Sequence, residues 1–333
     1  RTPHPPATET PMTATRRRRP ELPPTGGLPL VFGDYVRPPA LPFREALGRW
    51  PGLPDPICAC SGTAALVVAL TALRRRAPDR DVVILPAYTC PLVVLAARLV
   101  SGLRVSVCDT LPLSTDFDLE RLNHVCDRRT LAVVPTHMGG RVADVPAALA
   151  VAGRHGAFVL EDAAQALGAF APSGASVGLE GDAAFFSLAA GKGLTTYEGG
   201  LLVSRDAALR AELAAAARET LKPDLFWTLR RNLELFGYGV LYNPSGLRLA
   251  YGAPLRKKLS QGRELEALGD VFTLEDIPLH SLDRLRLRVA ANALGRLPAH
   301  LDQGRERARQ RYARLAGLKG VSVLGDRPGA DGT

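Results

Sequence analysis

The chain of 333 residues is 46% apolar and 23% charged and carries a formal net charge of +9. These values describe a soluble globular protein with room for one large domain and a smaller one. No apolar run is long enough to span a bilayer, and the basic run Arg16–Arg19 leads into ELPPTGG rather than a signal-like apolar stretch, so the expected compartment is the cytoplasm.

In chain order, residues 1–56 read as a Pro/Arg-rich N-terminal extension. Its opening, RTPHPPATETPMTATRRRRPELPPTGG, is too poor in periodicity to pack firmly, and the first residue is not methionine, as in a processed or partial chain. Residues 57–221 read as the large domain. Its strand-like runs are VVILP (82–86), RVSVCD (104–109), LAVVPTH (131–137), AFVLED (157–162), AAFFSL (183–188) and GLLVS (200–204). Helix-like stretches such as PLVVLAARLVSG and PAALAVAGRHG separate several of them. Strands apolar on both faces belong in a parallel sheet covered by helices, and this spacing gives right-handed crossovers. The expected fold is therefore α/β: a three-layer, doubly wound, mostly parallel sheet. AALRAELAAAARETL (207–221) reads as a further helix, and residues 222–281 as an inserted or linking segment with no clear order of elements. Residues 282–333 hold a long amphipathic helical pattern, broken near Pro298, and then VSVL (321–324) as one strand, the beginning of a small C-terminal domain that is incomplete.

The basic balance suits nucleic acid, a membrane surface or a phosphate-bearing small molecule. The arginines are scattered, and no recognition helix, zinc-finger spacing or aromatic–basic interleaving is present. Solvated surface arginines come first, an anionic small molecule second; neither nucleic acid nor a membrane is an expected partner. The five cysteines (Cys58, Cys60, Cys90, Cys108, Cys126) read as reduced, buried thiols. Cys58-x-Cys60 has no second pair at zinc spacing, so no metal is expected.

Ligands of an open α/β sheet bind at the carboxyl ends of its strands. There the sequence places Tyr88, Thr89 and Cys90, then His137, then Glu161, Asp162 and Gln165, then Ser187 and Lys192. The turn Ser61-Gly62-Thr63 opens an Ala/Leu-rich helix; it suits either a phosphate on free backbone N–H groups or a plain N-cap. Lys192 follows an apolar strand among glycines, and is either a desolvated nucleophilic amine or a surface loop lysine; Phe186 and Gly193 rule out a P-loop there. Asp162 closes an apolar strand, and is either the partner of a protonated pyridine ring or the cap of the segment that follows. Phosphate turn, strand-end aspartate and lysine together match what pyridoxal phosphate needs.

The motifs SGTAAL, PAYTC, THMGGRVAD, LEDAAQALGA and GDAAFFSLAAGKGLTTYEGG, in that order, resemble the DegT–DnrJ–StrS aminotransferases, closely from about Cys58 to Ser204 and more loosely from Leu282 to Leu324. That resemblance implies the large-domain fold of the type I pyridoxal-phosphate transferases, with pyridoxal 5'-phosphate as cofactor and a homodimer. It implies that Lys192 bonds the cofactor's aldehyde and moves protons. Asp162 would pair with the ring nitrogen, Gln165 would lie near the phenolic oxygen, and Gly62, Thr63 and Ser187 would hold the phosphate. Cys90 stands where the family usually stacks an aromatic on the ring, with Tyr88 as a nearby substitute. The family's Asn-Tyr-Arg segment, whose asparagine reaches the partner subunit, corresponds to VFTLEDIPLHSL (271–282), which has no asparagine. The implied reaction moves an amino group from an amino acid, L-glutamate, to a keto group of a nucleotide-linked sugar or related cyclic ketone. A sugar dehydratase and a non-catalytic cofactor-binding relative are the alternatives, though dehydratases that carry histidine in place of the lysine are disfavoured by Lys192.

Overall fold

The computed structural model describes residues 26–264, 274 and 277–333. Its centre is a seven-stranded sheet of β1 (Ile57–Ala59), β2 (Val82–Pro86), β3 (Arg104–Cys108), β4 (Thr130–Val133), β5 (Phe158–Asp162), β6 (Ala183–Ser187) and β7 (Gly200–Val203), in the order β1-β7-β6-β5-β4-β2-β3. β2 to β6 are mutually parallel; β7 runs antiparallel to both its neighbours, β6 and β1. The α/β expectation holds. The order reverses at β2, whose neighbours β3 and β4 lie on opposite sides, and this makes a crevice at the carboxyl ends.

Strand alternation divides the core. Val83, Leu85, Ala132, Val134, Leu160 and Phe185 face helices Gly62–Arg76, Pro91–Leu99 and Ala207–Thr220. Ile84, Val133 and Val159 face helices Leu119–Val125 and Val145–Arg154, while Ala184, Phe186 and Leu201 face helix Arg284–Leu294. Helices on both faces give the three layers.

One expectation needs correction, and two segments that the sequence left undefined gain structure. The segment before β1 is packed down from Leu28: Leu28, Leu30, Phe43, Leu47 and Leu53 are buried in the same cluster as Phe186. Proline-rich sequence hid that apolar set; the opening residues 1–25, with Arg16–Arg19, lie outside the described residues. The strand expected over Val321–Leu324 does not form: these residues have no regular structure, and Val321 and Leu324 are exposed, since a lone strand has no ladder to join. Residues 222–260, without legible order in sequence, are mostly helical, led by helix Leu225–Leu241. The break near Pro298 is present, between helices Arg284–Leu294 and Leu297–Leu315, with Pro298 in the first turn of the second.

Candidate active site

The β5–β6–β7 region brings the sequence-selected residues together. Asp162, the last residue of β5, is 4% exposed. Its backbone is fixed on both sides, by Asp162 N–H to Pro135 O at 2.9 Å and His137 N–H to Asp162 O at 3.0 Å. Among the described residues its carboxylate takes one hydrogen bond, from Ala164 N–H at 3.1 Å. Burial pushes its pKa up to about 6, against the opposing pull of the Ala164 amide, His137 and Lys192.

Lys192 sits in the hairpin loop joining β6 to β7. The ladder of Ser187 and Gly200 continues through Leu188 N–H to Gly199 O at 2.7 Å and Ala190 N–H to Tyr197 O at 2.7 Å. Gly191, at φ +87°, makes the turn before the lysine possible. The loop is held from outside as well, by Leu28 N–H to Gly193 O at 2.9 Å. Burial lowers the pKa of the Lys192 amine, while Asp162 and Cys90 pull it back up. β5 and β6 pair in parallel with Asp162 opposite Phe185, so Asp162 and the lysine hairpin lie at the same end of the sheet.

The turn before helix Gly62–Arg76 completes the arrangement. Ser61 Oγ accepts from Ala64 N–H at 3.0 Å, so the N-cap reading is correct for this serine. The amides of Gly62 and Thr63 start the helix, where N–H groups have no partner inside it. A methyl group on Gly62 would meet Ser187 Cβ at 3.2 Å and Phe186 O at 3.3 Å. Gly62 is therefore packed closely on the end of β6, where a side chain would need Ser187 to give way by a few tenths of an ångström.

The remaining residues are placed differently. Gln165 is exposed; its Oε1 accepts from Gly139 N–H at 2.9 Å and its amide nitrogen lies 3.8 Å from Met138 Sδ. Cys90 is exposed rather than buried, unlike the other four cysteines, and heads helix Pro91–Leu99 without capping it. Tyr88 is 67% exposed, like Cys90 beside it. The neighbouring Thr89 Oγ1 is buried with no hydrogen-bond partner, as is Thr136 Oγ1 beside Asp162. Most of the segment 271–276 lies outside the described residues. Among the described residues no cluster of His, Cys, Asp or Glu could hold a metal.

Two features differ from what the strand-end positions alone suggest. Glu161 points to the other face from Asp162, as period-two geometry demands. It accepts from Gly178, Glu180 and Gly181 N–H at 2.7, 2.9 and 2.6 Å and lies 3.1 Å from His137 Nε2. His137 Nδ1 accepts from Ala143 N–H at 3.0 Å, so the ring hydrogen is on Nε2 and donates to Glu161. The second is the packing of helix Leu225–Leu241 on the lysine hairpin. Arg231 Nε stands 2.6 Å from Glu198 Oε2, and the Arg231 guanidinium lies over Tyr197 and Trp227. A cavity of about 370 Å³ opens there, lined by Ala190, Gly191, Tyr197, Tyr238 and Leu247 among others. Sequence placed His137 and Glu161 at the strand ends but not their pairing with each other and with the 178–181 amides; nothing in the sequence signalled the second feature.

A buried carboxylate and a desolvated amine at one end of the sheet, with a helix N-terminus packed on the end of β6, suit an anionic ligand that carries a basic nitrogen and an electrophilic carbon. Residues 37–238 match the model of the DegT/DnrJ/EryC1/StrS aminotransferase family, and the chain belongs to that family. It is 33% identical over 184 residues to GDP-perosamine synthase of Caulobacter vibrioides, a match covering 55% of this chain and 48% of the relative. It is 36% identical over 167 residues to L-glutamine:2-deoxy-scyllo-inosose aminotransferase of Streptomyces lividus, covering 50% and 38%. The chain thus spans about half or less of these curated relatives. Among solved structures, the sugar aminotransferase CalS13 from Micromonospora echinospora shares the fold, with a TM-score of 0.67 at 24% identity, covering 93% of this chain and 78% of that one.

Proposed function

We propose that this chain is a pyridoxal-5'-phosphate-dependent aminotransferase that moves an amino group from an amino acid to the keto group of a nucleotide-linked sugar or related cyclic ketone. The observation that carries the reading is the close approach of Gly62, at the start of its helix, to Ser187 at the end of β6, with buried Asp162 ending the adjoining β5 and Lys192 in the hairpin that follows Ser187.

When bound, pyridoxal phosphate supplies an aldehyde that takes up an amine and a ring that accepts the electrons released at the substrate carbon. The Gly62 and Thr63 amides and the Ser187 hydroxyl would hold its phosphate, with the helix dipole favouring the anion. Asp162, buried with a pKa of about 6 and so ionised at neutral pH, would hold the ring nitrogen in its protonated form. Lys192 would hold the aldehyde and serve as the proton carrier at Nζ; burial, by lowering its pKa, would keep more of the amine in the basic form that this needs. Cys90 would stand near the ring. The Gln165 carbonyl accepts from Gly139, so its NH₂ would be the group available to the phenolic oxygen. Buried His137 and Glu161 orient the strand end that carries Asp162.

L-Glutamate is the proposed donor, and L-glutamine, named for the Streptomyces lividus relative, is the donor to test beside it. A homodimer in the cytoplasm completes the reading. The test is to add pyridoxal phosphate, reduce with borohydride and map the label by peptide mass spectrometry. Yellow protein labelled at Lys192 is expected; colourless, unlabelled protein would overturn the cofactor reading and favour a non-catalytic relative. Turnover of keto sugars with each donor, followed by mass, should show an amine gained; loss of water instead would mean a dehydratase.

A further inference from the structure

The returning limb of the hairpin that carries Lys192 holds a bulky residue in an unfavourable backbone conformation. Tyr197 has φ +67°, in the left-handed region that such side chains rarely adopt. A conformation of this kind persists only where its surroundings over-determine it, and it clusters at functional sites. Tyr197 is held first by its own contacts. Its N–H donates to Thr195 Oγ1 at 2.9 Å, its carbonyl accepts from Ala190 N–H at 2.7 Å, and its ring meets Tyr238 edge-on. The Ala190 bond ties it to the outgoing limb, two residues before Lys192, whose own N–H donates to Ala189 O at 3.1 Å.

The next residue, Glu198, is where distant parts of the chain grip this limb. Its carbonyl accepts from Arg286 Nη1 at 2.8 Å and from Thr196 Oγ1 at 3.1 Å. Its carboxylate, with the side chain 20% exposed, forms the 2.6 Å ion pair with Arg231 Nε. Burial pushes the pKa of that carboxyl up, against the pull of Arg231 and Arg286. Gly199 leaves the limb no slack, since a methyl group there would clash with Thr196 Oγ1. Arg231 belongs to helix Leu225–Leu241 and Arg286 to helix Arg284–Leu294, so one hairpin residue is clamped by two helices. The Arg231 guanidinium also lies over the Tyr197 ring, 5.9 Å from its centroid, and pairs a second time with Glu234 at 2.6 Å. A desolvated ion cluster is a costly way to join helix to hairpin where apolar side chains would pack as well. What it adds is a fixed position for the limb, next to a residue whose backbone would otherwise relax.

We propose that Glu198 is a positioning residue for Lys192: held by Arg231 and Arg286, it keeps Tyr197 in its left-handed turn and so keeps the Lys192 amine out of water. The proposal takes Lys192 as the reacting amine and in that rests on the aminotransferase reading. Without the clamp Tyr197 relaxes, the Ala190 bond loosens and the amine reaches water, which favours its charged form. Asp162 and Cys90, the groups that face the amine, lie on other elements and are untouched by a change at 198. The test is competitive acetylation of the full, cofactor-free chain by trace acetic anhydride as pH is varied, with Lys192 and the exposed Lys319 read separately by peptide mass spectrometry. Glu198→Gln leaves Arg231 its Glu234 partner, so no cation is stranded. Its Lys192 midpoint should rise by about half a pH unit or more, toward the ordinary lysine value of about 10.4, with Lys319 unchanged. Glu198→Asp keeps the charge but falls short of Arg231, and should give a smaller rise. Glu234→Gln takes the other carboxylate from Arg231 and leaves the hairpin bonded, and should give none. An unmoved Lys192 midpoint in Glu198→Gln, or in Glu198→Asp if the first variant does not fold, overturns the proposal. So does an equal rise in Glu234→Gln, which would trace the effect to helix packing in general. A wild-type chain that takes no borohydride label at Lys192 counts against the aminotransferase reading alone, because acetylation is read without cofactor.

Discussion

A methyl group placed on Gly200 would stand 2.2 Å from the carbonyl oxygen of Ser61. The start of β7 and the turn that opens helix Gly62–Arg76 are therefore in backbone contact. That contact joins the Ser61–Gly62 turn, the proposed phosphate site, to the strand leaving the Lys192 hairpin. Gly200→Ala must push one of them away and should destabilise by about 1–3 kcal/mol or more, with loss of cofactor affinity. Gly153→Ala, in helix Val145–Arg154 with nothing within 4 Å of the added methyl, should be neutral or stabilise by about 0.5–1 kcal/mol. Urea unfolding of the pair checks this; equal effects would contradict it.

Asp162 makes a pH prediction. Its carboxyl pKa is about 6 in the folded chain against an ordinary 3.8, so the cofactor-free folded state binds this proton more tightly than the unfolded state. The associated stability is fully present below pH about 4 and is lost as pH rises through about 6, amounting to about 2–3 kcal/mol. Asp162→Asn removes it. The variant should therefore gain on wild type by that amount between pH 4 and 7 when cofactor is absent. A constant difference across that range would show the carboxyl to be unperturbed.

The same substitution separates stability from chemistry. Asp162→Asn should bind the cofactor yet transfer amino groups more slowly by about 10²–10⁴-fold, and Lys192→Ala should lose at least as much and take no borohydride label. Single-turnover kinetics with L-glutamate reads both. Normal rates in either variant would remove that residue from the mechanism.

Glu161 is a buried anion with three amide donors and His137 around it. Glu161→Gln turns an NH₂ group toward N–H donors and should lower stability by about 3 kcal/mol or more. His137→Asn should have a smaller effect on stability and shift the pH profile of the Asp162-dependent step. Denaturant titration and that profile are the measurements; a profile unchanged in His137→Asn would leave the histidine a purely structural part.

Arg286 is 0% exposed, 2.5 Å from Asp283 through Nε, with Nη1 donating to Glu198 O at 2.8 Å and its guanidinium 4.6 Å from the Trp227 ring. Arg286→Ala should cost about 3–5 kcal/mol, because Asp283 and the Glu198 carbonyl lose their donor in a desolvated place. Thermal unfolding checks it; a shift no larger than that of an exposed arginine such as Arg284→Ala would contradict it.

Sequence alone determined the sheet and the chemistry carried at its edge. Runs such as VVILP and AFVLED are too apolar for anything but a covered parallel sheet, and a strand end fixes which residues can meet at the carboxyl edge. Lys192, Asp162, Gly62 and Ser187 were legible for that reason. Tertiary structure decided what depends on contacts distant in sequence. It buried Leu28, Leu30, Phe43, Leu47 and Leu53 in one cluster with residues of helix Arg284–Leu294 and left Val321–Leu324 without a strand partner. It turned Glu161 away from Asp162 into a nest of loop amides, and it set helix Leu225–Leu241 with its polar side inward. Periodicity tells which side chains share a face, but only packing against the rest of the chain decides whether that face meets protein or solvent.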